Sequence, residues 1–326
     1  MSSAVRWDEL VARVAPLRKL SAWLNALPHP GLVVEFAQTH VAAARWDARG
    51  QKLEGHAAEP IPEGAIVPSP VDLNIAQAEP VQAALAVVLK RLDAKNEEAG
   101  LLVPDPVVRV FILPFETFPR RPEEGIPMLR WRLKKSVPFD VEETVVSSMR
   151  QSGKDGKLEV VAALGRQRVL REYESLAEAA GLVPGVALSS SLASLALLDE
   201  KGATLLARIS GRHLTTVIVK GLSLCVYRSS EMAAPIAGVK LQSLMEEIFP
   251  GVAYFQDTWG GNVERARLAG FGEREAEMRE LLGPELNCPI LSMGEAHAGA
   301  QLPADTSGLL TQNLEGLAGW ALERRA

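Results

Sequence analysis

Five histidines (His29, His40, His56, His213, His297) and two cysteines (Cys225, Cys288) are the side chains from which a metal or thiol centre would be built. A zinc hydrolase places two histidines one helical turn apart with a glutamate between them, and neither HExxH nor a Cys–His pairing occurs. The two cysteines stand alone, fit no disulfide framework, and are compatible with a reducing compartment. Acyl transfer would want a serine in a GxSxG turn, but the cluster Ser189-Ser190-Ser191 has no glycine frame and reads as a helix N-cap. The carboxylate pairs Glu123-Glu124, Glu142-Glu143 and Glu246-Glu247 read as helix ends or solvated faces. No GxxxxGK[ST] is present, and Gly260-Gly261 beside Trp259 lacks the strand and helix a dinucleotide loop requires. The expectation is a protein with no catalytic residues and no metal site.

The composition agrees with a binding protein. The chain has 326 residues with 35 Lys or Arg against 40 Asp or Glu, a formal charge of -5. That acidity removes the electrostatic term on which general nucleic-acid binding depends. At 47% hydrophobic residues the chain can fill substantial cores without staples. No apolar run approaches the roughly 20 residues that span a bilayer, and the N-terminus lacks a signal-peptide core. A cytoplasmic protein is expected.

The elements follow from periodicity. Trp7 to Leu27 reads as a basic helix with Leu10, Val14, Leu17, Leu24 and Leu27 at helical spacing, ended by Pro28-His29-Pro30-Gly31. Its bland role is packing on its own domain; its sharper one is a membrane or partner contact. Gly31 to Phe36, Val41 to Trp46 and Lys52 to Ala57 form a three-stranded meander. A helix over Glu79 to Gly100 and a strand at Val107 to Leu113 come next. A smaller unit then reads as helix Met128 to Lys135, strands Val145 to Gln151 and Leu158 to Leu164, helix Gln167 to Ala180 and strand Val183 to Leu188. Thr204 to Ile209, Leu214 to Val219 and Leu222 to Tyr227 make a second meander, followed by further helices, the last expected over Leu309 to Leu322. Two meanders, each followed by helices, imply an internal duplication: a two-lobed α/β protein with an insertion in its first lobe.

Several segments carry a resemblance. They are Pro104-Asp105, Arg109 to Pro114, Phe118-Pro119, Leu129-Arg-Trp-Arg-Leu-Lys-Lys-Ser-Val-Pro-Phe-Asp-Val141, Gly185 to Ser191 and Leu317-Ala-Gly-Trp-Ala-Leu322. Together they resemble PilM, the actin-like cytoplasmic protein of type IV pilus assembly, and more distantly the cytoplasmic half of GspL-type secretion proteins. The resemblance implies an actin-like (ribonuclease H-like) fold that binds nucleotide between two lobes. It also implies a groove between subdomains 1A and 1C that holds the cytoplasmic tail of PilN, a place beneath the inner membrane, and pilus motor components as further partners.

Against that pattern the nucleotide loops are degenerate. The first phosphate loop should open Asp-x-Gly, and here reads Glu35-Phe36-Ala37; a Cβ at residue 37 blocks close approach of a phosphate. The second should begin with an acid facing Mg²⁺, where this chain has Arg208, followed by Gly211. Arg208 would meet a phosphate only in a different binding mode. The adenosine loop reads Ala269-Gly270-Phe271-Gly272, with the Phe271 ring expected where base and ribose lie. Subdomain 2B has no room between Arg228 and Val239. The expected division is therefore 1–28 as a helical extension, 29–106 with 190–203 as 1A, 107–189 as 1C, and 204–326 as a second lobe with 2B reduced or missing. Leu129, Leu133, Phe139, Val160, Val161, Leu170, Leu176 and Leu182 should form the 1C core. The expected function is an adaptor with no cofactor, taking the tail of a PilN-like membrane protein at Arg109, Phe115, Phe118, Arg130 and Arg132, and reaching the membrane through that partner. The alternatives are a working ATP/Mg-binding PilM-like protein and a GspL-like component.

Overall fold

The central strands are recognisable by what they bury. Leu32-Val-Val-Glu-Phe36 and Ala203-Thr-Leu-Leu-Ala-Arg-Ile209 are buried along both faces, as strands covered on two sides must be. The computed structural model describes residues 30–47, 52–198, 202–295 and 306–323. The helix expected over Trp7 to Leu27 lies outside them.

The first sheet contains β1 (Leu32–Phe36), β2 (His40–Trp46), β3 (Leu53–Pro60), β4 (Glu98–Val103) and β8 (Val183–Ser189), in the order β3-β2-β1-β4-β8. The second contains β9 (Ala203–Ser210), β10 (His213–Lys220), β11 (Ser223–Glu231), β12 (Arg265–Ala269) and β13 (Ile290–Ser292), in the order β11-β10-β9-β12-β13. In each, an antiparallel meander is extended by two parallel strands. The duplication reaches residue level. Glu35 faces Ala42 across the first hairpin as Arg208 faces Thr215 across the second, so the two charged residues hold the same place in their lobes.

Helices α1 (Ala78–Arg91) and α3 (Gln167–Ala179) cover the first sheet, and α5 (Leu241–Trp259) and α6 (Glu275–Leu286) cover the second. Helix α5 shows why: Leu241, Leu244, Met245, Ile248, Val252 and Phe255 return at three- and four-residue steps and are all buried. Between β4 and α3 the chain inserts β5 (Val108–Phe115), α2 (Pro122–Leu133), β6 (Thr144–Ser152) and β7 (Leu158–Arg166), forming an antiparallel sheet β5-β7-β6. Period-2 alternation divides this sheet's two faces. Val160, Ala162 and Leu164 pack with Phe118, Leu129 and Leu133 under α2, whereas Met149 and Val161 join the core shared with Leu206, Val217 and Leu224 of the second sheet. Gln151 ties the two units, donating to the Leu224 carbonyl at 2.8 Å and accepting from the Leu224 N–H at 3.0 Å.

Several boundaries differ from the expectation. The helix expected over Glu79 to Gly100 ends at Arg91, and Glu98 to Val103 is strand β4, paired between β1 and β8. Strand β8 joins the first sheet and α3 packs on that lobe, so the inserted sheet closes at Arg166 and not near Ser189. Leu170, Leu176 and Leu182 accordingly belong to the first-lobe core. The C-terminal segment divides into α7 (Thr306–Thr311) and α8 (Glu315–Glu323) around Asn313 at φ 56°. Helix α8 returns to the first lobe, where its Trp320 indole donates to the Pro30 carbonyl, so 204–326 is not one lobe.

Phe139 is only half-buried and lies outside the α2 core, whose aromatic is Phe118 at 8% exposure. Phe139→Ala should therefore cost about 1 kcal/mol or less in urea denaturation, where a core ring would cost about 3 or more. Among the described residues no helix is long and apolar enough to cross a membrane.

Candidate functional site

The two hairpins carrying Glu35 and Arg208 face each other across the lobes, and their charges meet. Arg208 is 3% exposed, and its guanidinium lies 3.3 Å from Glu35, 3.6 Å from Asp105 and 3.5 Å from Glu315. Each acid comes from a different element: Glu35 from β1, Asp105 from the turn after β4, Glu315 from the first turn of α8. Asp105 is fixed further by the Ser191 and Thr215 hydroxyls, which donate to its Oδ2 at 2.5 and 2.7 Å, and by the Ser191 N–H at 2.9 Å. Ser189 is the N-cap of the short helix α4 (Ser190–Ser194), accepting from the Leu192 N–H, which frees Ser191 for Asp105.

The electrostatics follow from burial. Desolvation disfavours the charge on Arg208, but Asp105, Glu35 and Glu315 outweigh it and hold the guanidinium more firmly protonated than usual. Burial raises the Glu315 carboxyl, and Arg208 offsets only part of that rise. His40, beside Thr39 in the first turn, is held below the ordinary imidazole range, by burial first and by Arg208 as a lesser cause.

Above this cluster lies a cleft of about 450 Å³ whose lining includes Gln38, His40, Arg208, Gly211, Arg212 and Gly270. Gln38 crosses it. Its side-chain carbonyl accepts from the Arg212 N–H at 2.7 Å, and its chain covers Gly211, where an added Cβ would collide with it. Gly211 sits at φ 60° and Gly270 at φ 74°, and a Cβ on Gly270 would strike the Ile209 carbonyl, so strand β12 approaches β9 only with glycine there. Gly272, at φ 56°, has open space around its Cβ position.

These residues fit Mg-ATP poorly. The backbone donor of the second loop is taken by Gln38, and the cation-like position between the carboxylates is taken by Arg208. Ala37 is buried, and its N–H closes the hairpin on the His40 carbonyl at 2.9 Å. Phe271 does not enter the cleft: it is 1% exposed in the second-lobe core, so the ring expected at the base pocket is a packing residue. Among the described residues no group of His, Cys, Asp or Glu is placed to hold a metal ion. Burial pushes the Cys225 thiol up to about 12, so it is no nucleophile at neutral pH.

The five residues expected to hold a partner do not form one surface. Arg132 stacks 4.8 Å above the Phe115 ring, and Phe115 lies 5.0 Å from Phe118. Phe118 is inside the α2 core and supports that stack from beneath. Arg130 is held within the insertion, donating to the Thr144 carbonyl at 2.9 Å and pairing with Glu142 at 3.4 Å. Arg109 is exposed near the opposite end of β5, about 20 Å from Phe115 by strand rise. Sequence reasoning missed Asp105, Glu315 and Gln38. Pro104-Asp105 was conspicuous as a motif, but only the fold brings that acid under Arg208.

No protein-family model matches the chain, and no curated protein matches it in sequence. Solved structures match its fold. The structure described as the PilM-PilN type IV pilus biogenesis complex aligns with a TM-score of 0.73 at 18% identity, covering 92% of this chain and 100% of the other. A Bacteroides thetaiotaomicron protein of actin-like ATPase fold and unknown function aligns at 0.51 and 9% identity, over 89% and 97% of the two chains. The cytoplasmic domain of EpsL, an inner-membrane component of the Vibrio cholerae type II secretion system, aligns at 0.47 and 16%, over 86% and 93%. The chain has an actin-like fold.

Proposed function

We propose that this chain is a cytoplasmic adaptor of a type IV pilus or related secretion assembly, working at the inner face of the inner membrane. In this reading it holds the N-terminal tail of a PilN-like membrane protein and does not turn over ATP. The observation that carries it is the interlobe centre, where Arg208 stands among Glu35, Asp105 and Glu315 and Gln38 bonds across the loops. A fold built to open and close on a nucleotide is here pinned by its own side chains. The likeness to the PilM-PilN structure over nearly the whole chain supports the partner class.

In this reading the inserted sheet with α2 corresponds to subdomain 1C, and the short connection from β11 to α5 leaves 2B missing. The tail would be held by the insertion, with Phe115, Arg132 and Arg109 on its surface and Phe118 and Arg130 shaping it from within. Aromatic and arginine side chains of this kind dominate interface energies.

Calorimetry is the test. A peptide of the partner's cytoplasmic tail should bind saturably, and Arg132→Glu and Phe115→Ala should each weaken it at least ten-fold while the chain still unfolds cooperatively. Mg-ATP should give no saturable heat at micromolar concentration. Tail binding that ignores both variants would move the interface, and micromolar Mg-ATP binding would restore the ATP-binding reading, for which the 450 Å³ cleft is the supporting feature.

A further inference from the structure

Trp131 is 83% exposed on α2, the most exposed large apolar side chain of the described residues. Helix α2 buries Gly125, Leu129 and Leu133, and Met128 at 39% exposure shares the outward side with Trp131, one turn away. Around Trp131 itself the charge has one sign: from Gly125 to Phe139 the chain carries Arg130, Arg132, Lys134 and Lys135 and no acid. Arg120 and Arg121 precede the helix, and Lys134 and Lys135 follow Trp131 by one turn; all four are exposed and none has an ion pair among the described residues. Glu123 and Glu124 lie in the first turn, where the helix dipole favours them. A chain with a net charge of -5 thus gathers unneutralised cations around its most exposed tryptophan.

We infer that this face of α2 is a direct contact with an anionic bilayer surface. Trp131 and Met128 enter the headgroup layer, and Lys134, Lys135, Arg120 and Arg121 meet lipid phosphates. Two physical points select a lipid surface over a protein. One tryptophan and one methionine are far short of the roughly 800 Å² per partner that a stable protein interface buries. An indole with an apolar body and a polar N–H suits the headgroup depth, and basic side chains beside it gain from the negative surface potential. A single anchor of this size binds weakly and reversibly. It would orient a protein whose principal attachment is a membrane partner's tail, a clause that rests on the function proposed above. The contact itself does not.

The test uses the whole chain and no tail peptide, so its outcome is separate from that of the adaptor reading. Co-sedimentation is measured with vesicles of phosphatidylethanolamine and phosphatidylglycerol and with vesicles of phosphatidylcholine. Binding is expected on the anionic vesicles only and should disappear at about 0.5 M salt. Lys134→Glu with Lys135→Glu should lower the partition coefficient at least about ten-fold, and Trp131→Ala about five-fold, with melting unchanged in both. Absence of binding to anionic vesicles, or equal binding by the variants and the parent chain, overturns the inference. So does a Trp131→Ala variant that keeps its vesicle binding and loses affinity for the tail peptide, which would assign this face to a protein.

Discussion

Arg208→Met is expected to remove about 3–5 kcal/mol of folding stability, because it strands three buried carboxylates without the cation that pairs with them. The substitution is close in volume and leaves the β9 backbone intact, so a merely packed arginine would lose far less. Glu35, Asp105 and Glu315 are all at most 3% exposed, and the Glu35 Oε2 already has no hydrogen-bond partner among the described residues. Removing the guanidinium leaves three acids facing one another across the lobes. Adding Glu35→Gln and Glu315→Gln to Arg208→Met should recover most of the loss, since the acid that then stays charged, Asp105, keeps the Ser191 and Thr215 donors. Urea denaturation of the single and triple variants decides it; a cost under about 1 kcal/mol for the single would show that the centre is hydrated and open.

The same cluster sets a pH dependence. The folded-state carboxyl of Glu315 titrates above its ordinary range, chiefly through burial. Its contribution is therefore fully present below the unfolded glutamate value and is lost as pH rises through the folded one. Glu315→Gln should gain stability relative to the parent chain as pH rises from about 4 to 7. A difference that shrinks over that interval would contradict the raised carboxyl.

How much of this was legible beforehand depends on the distance over which each feature is decided. The meanders and the duplication are written in local alternation and turn residues, and the fold bears them out; the inserted unit is shorter than its local pattern suggests. Strand β8 completes the first sheet beside β4, which local pattern does not reveal, because a buried strand next to a small α/β unit carries no label saying which sheet it joins. A proline that ends the helix just before it makes Phe139 look like a core ring, yet Gly125 gives the α2 core its room for Phe118 instead: a Cβ there would lie 2.7 Å from that ring. Glu35 and Arg208 were visible as departures from a nucleotide-binding pattern. That they compensate each other was not visible, because their pairing spans 173 positions and needs both lobes in place.

Trp320→Ala is expected to cost about 3–5 kcal/mol, the other large effect in the chain. Trp320 is fully buried, and its indole N–H donates to the Pro30 carbonyl at 3.2 Å. The ring occupies space that β4 leaves by having Gly100 at that point: a Cβ on Gly100 would overlap it. On the neighbouring side Gly319 lets α8 lie against α4, since a Cβ there would meet the Ala193 carbonyl. The dipeptide Gly319-Trp320 thus pairs the smallest residue with the largest, one admitting a helix backbone and the other filling the sheet. Helix α8 also delivers Glu315 to Arg208, so losing the ring should loosen the charge cluster as well as the core. Trp320→Phe, which keeps most of the volume, should lose markedly less, and Gly100→Ala should destabilise through the same contact. Thermal and urea denaturation of the three variants would measure this. Should Trp320→Ala unfold within about 1 kcal/mol of the parent chain, α8 would not be an integral layer of the first lobe.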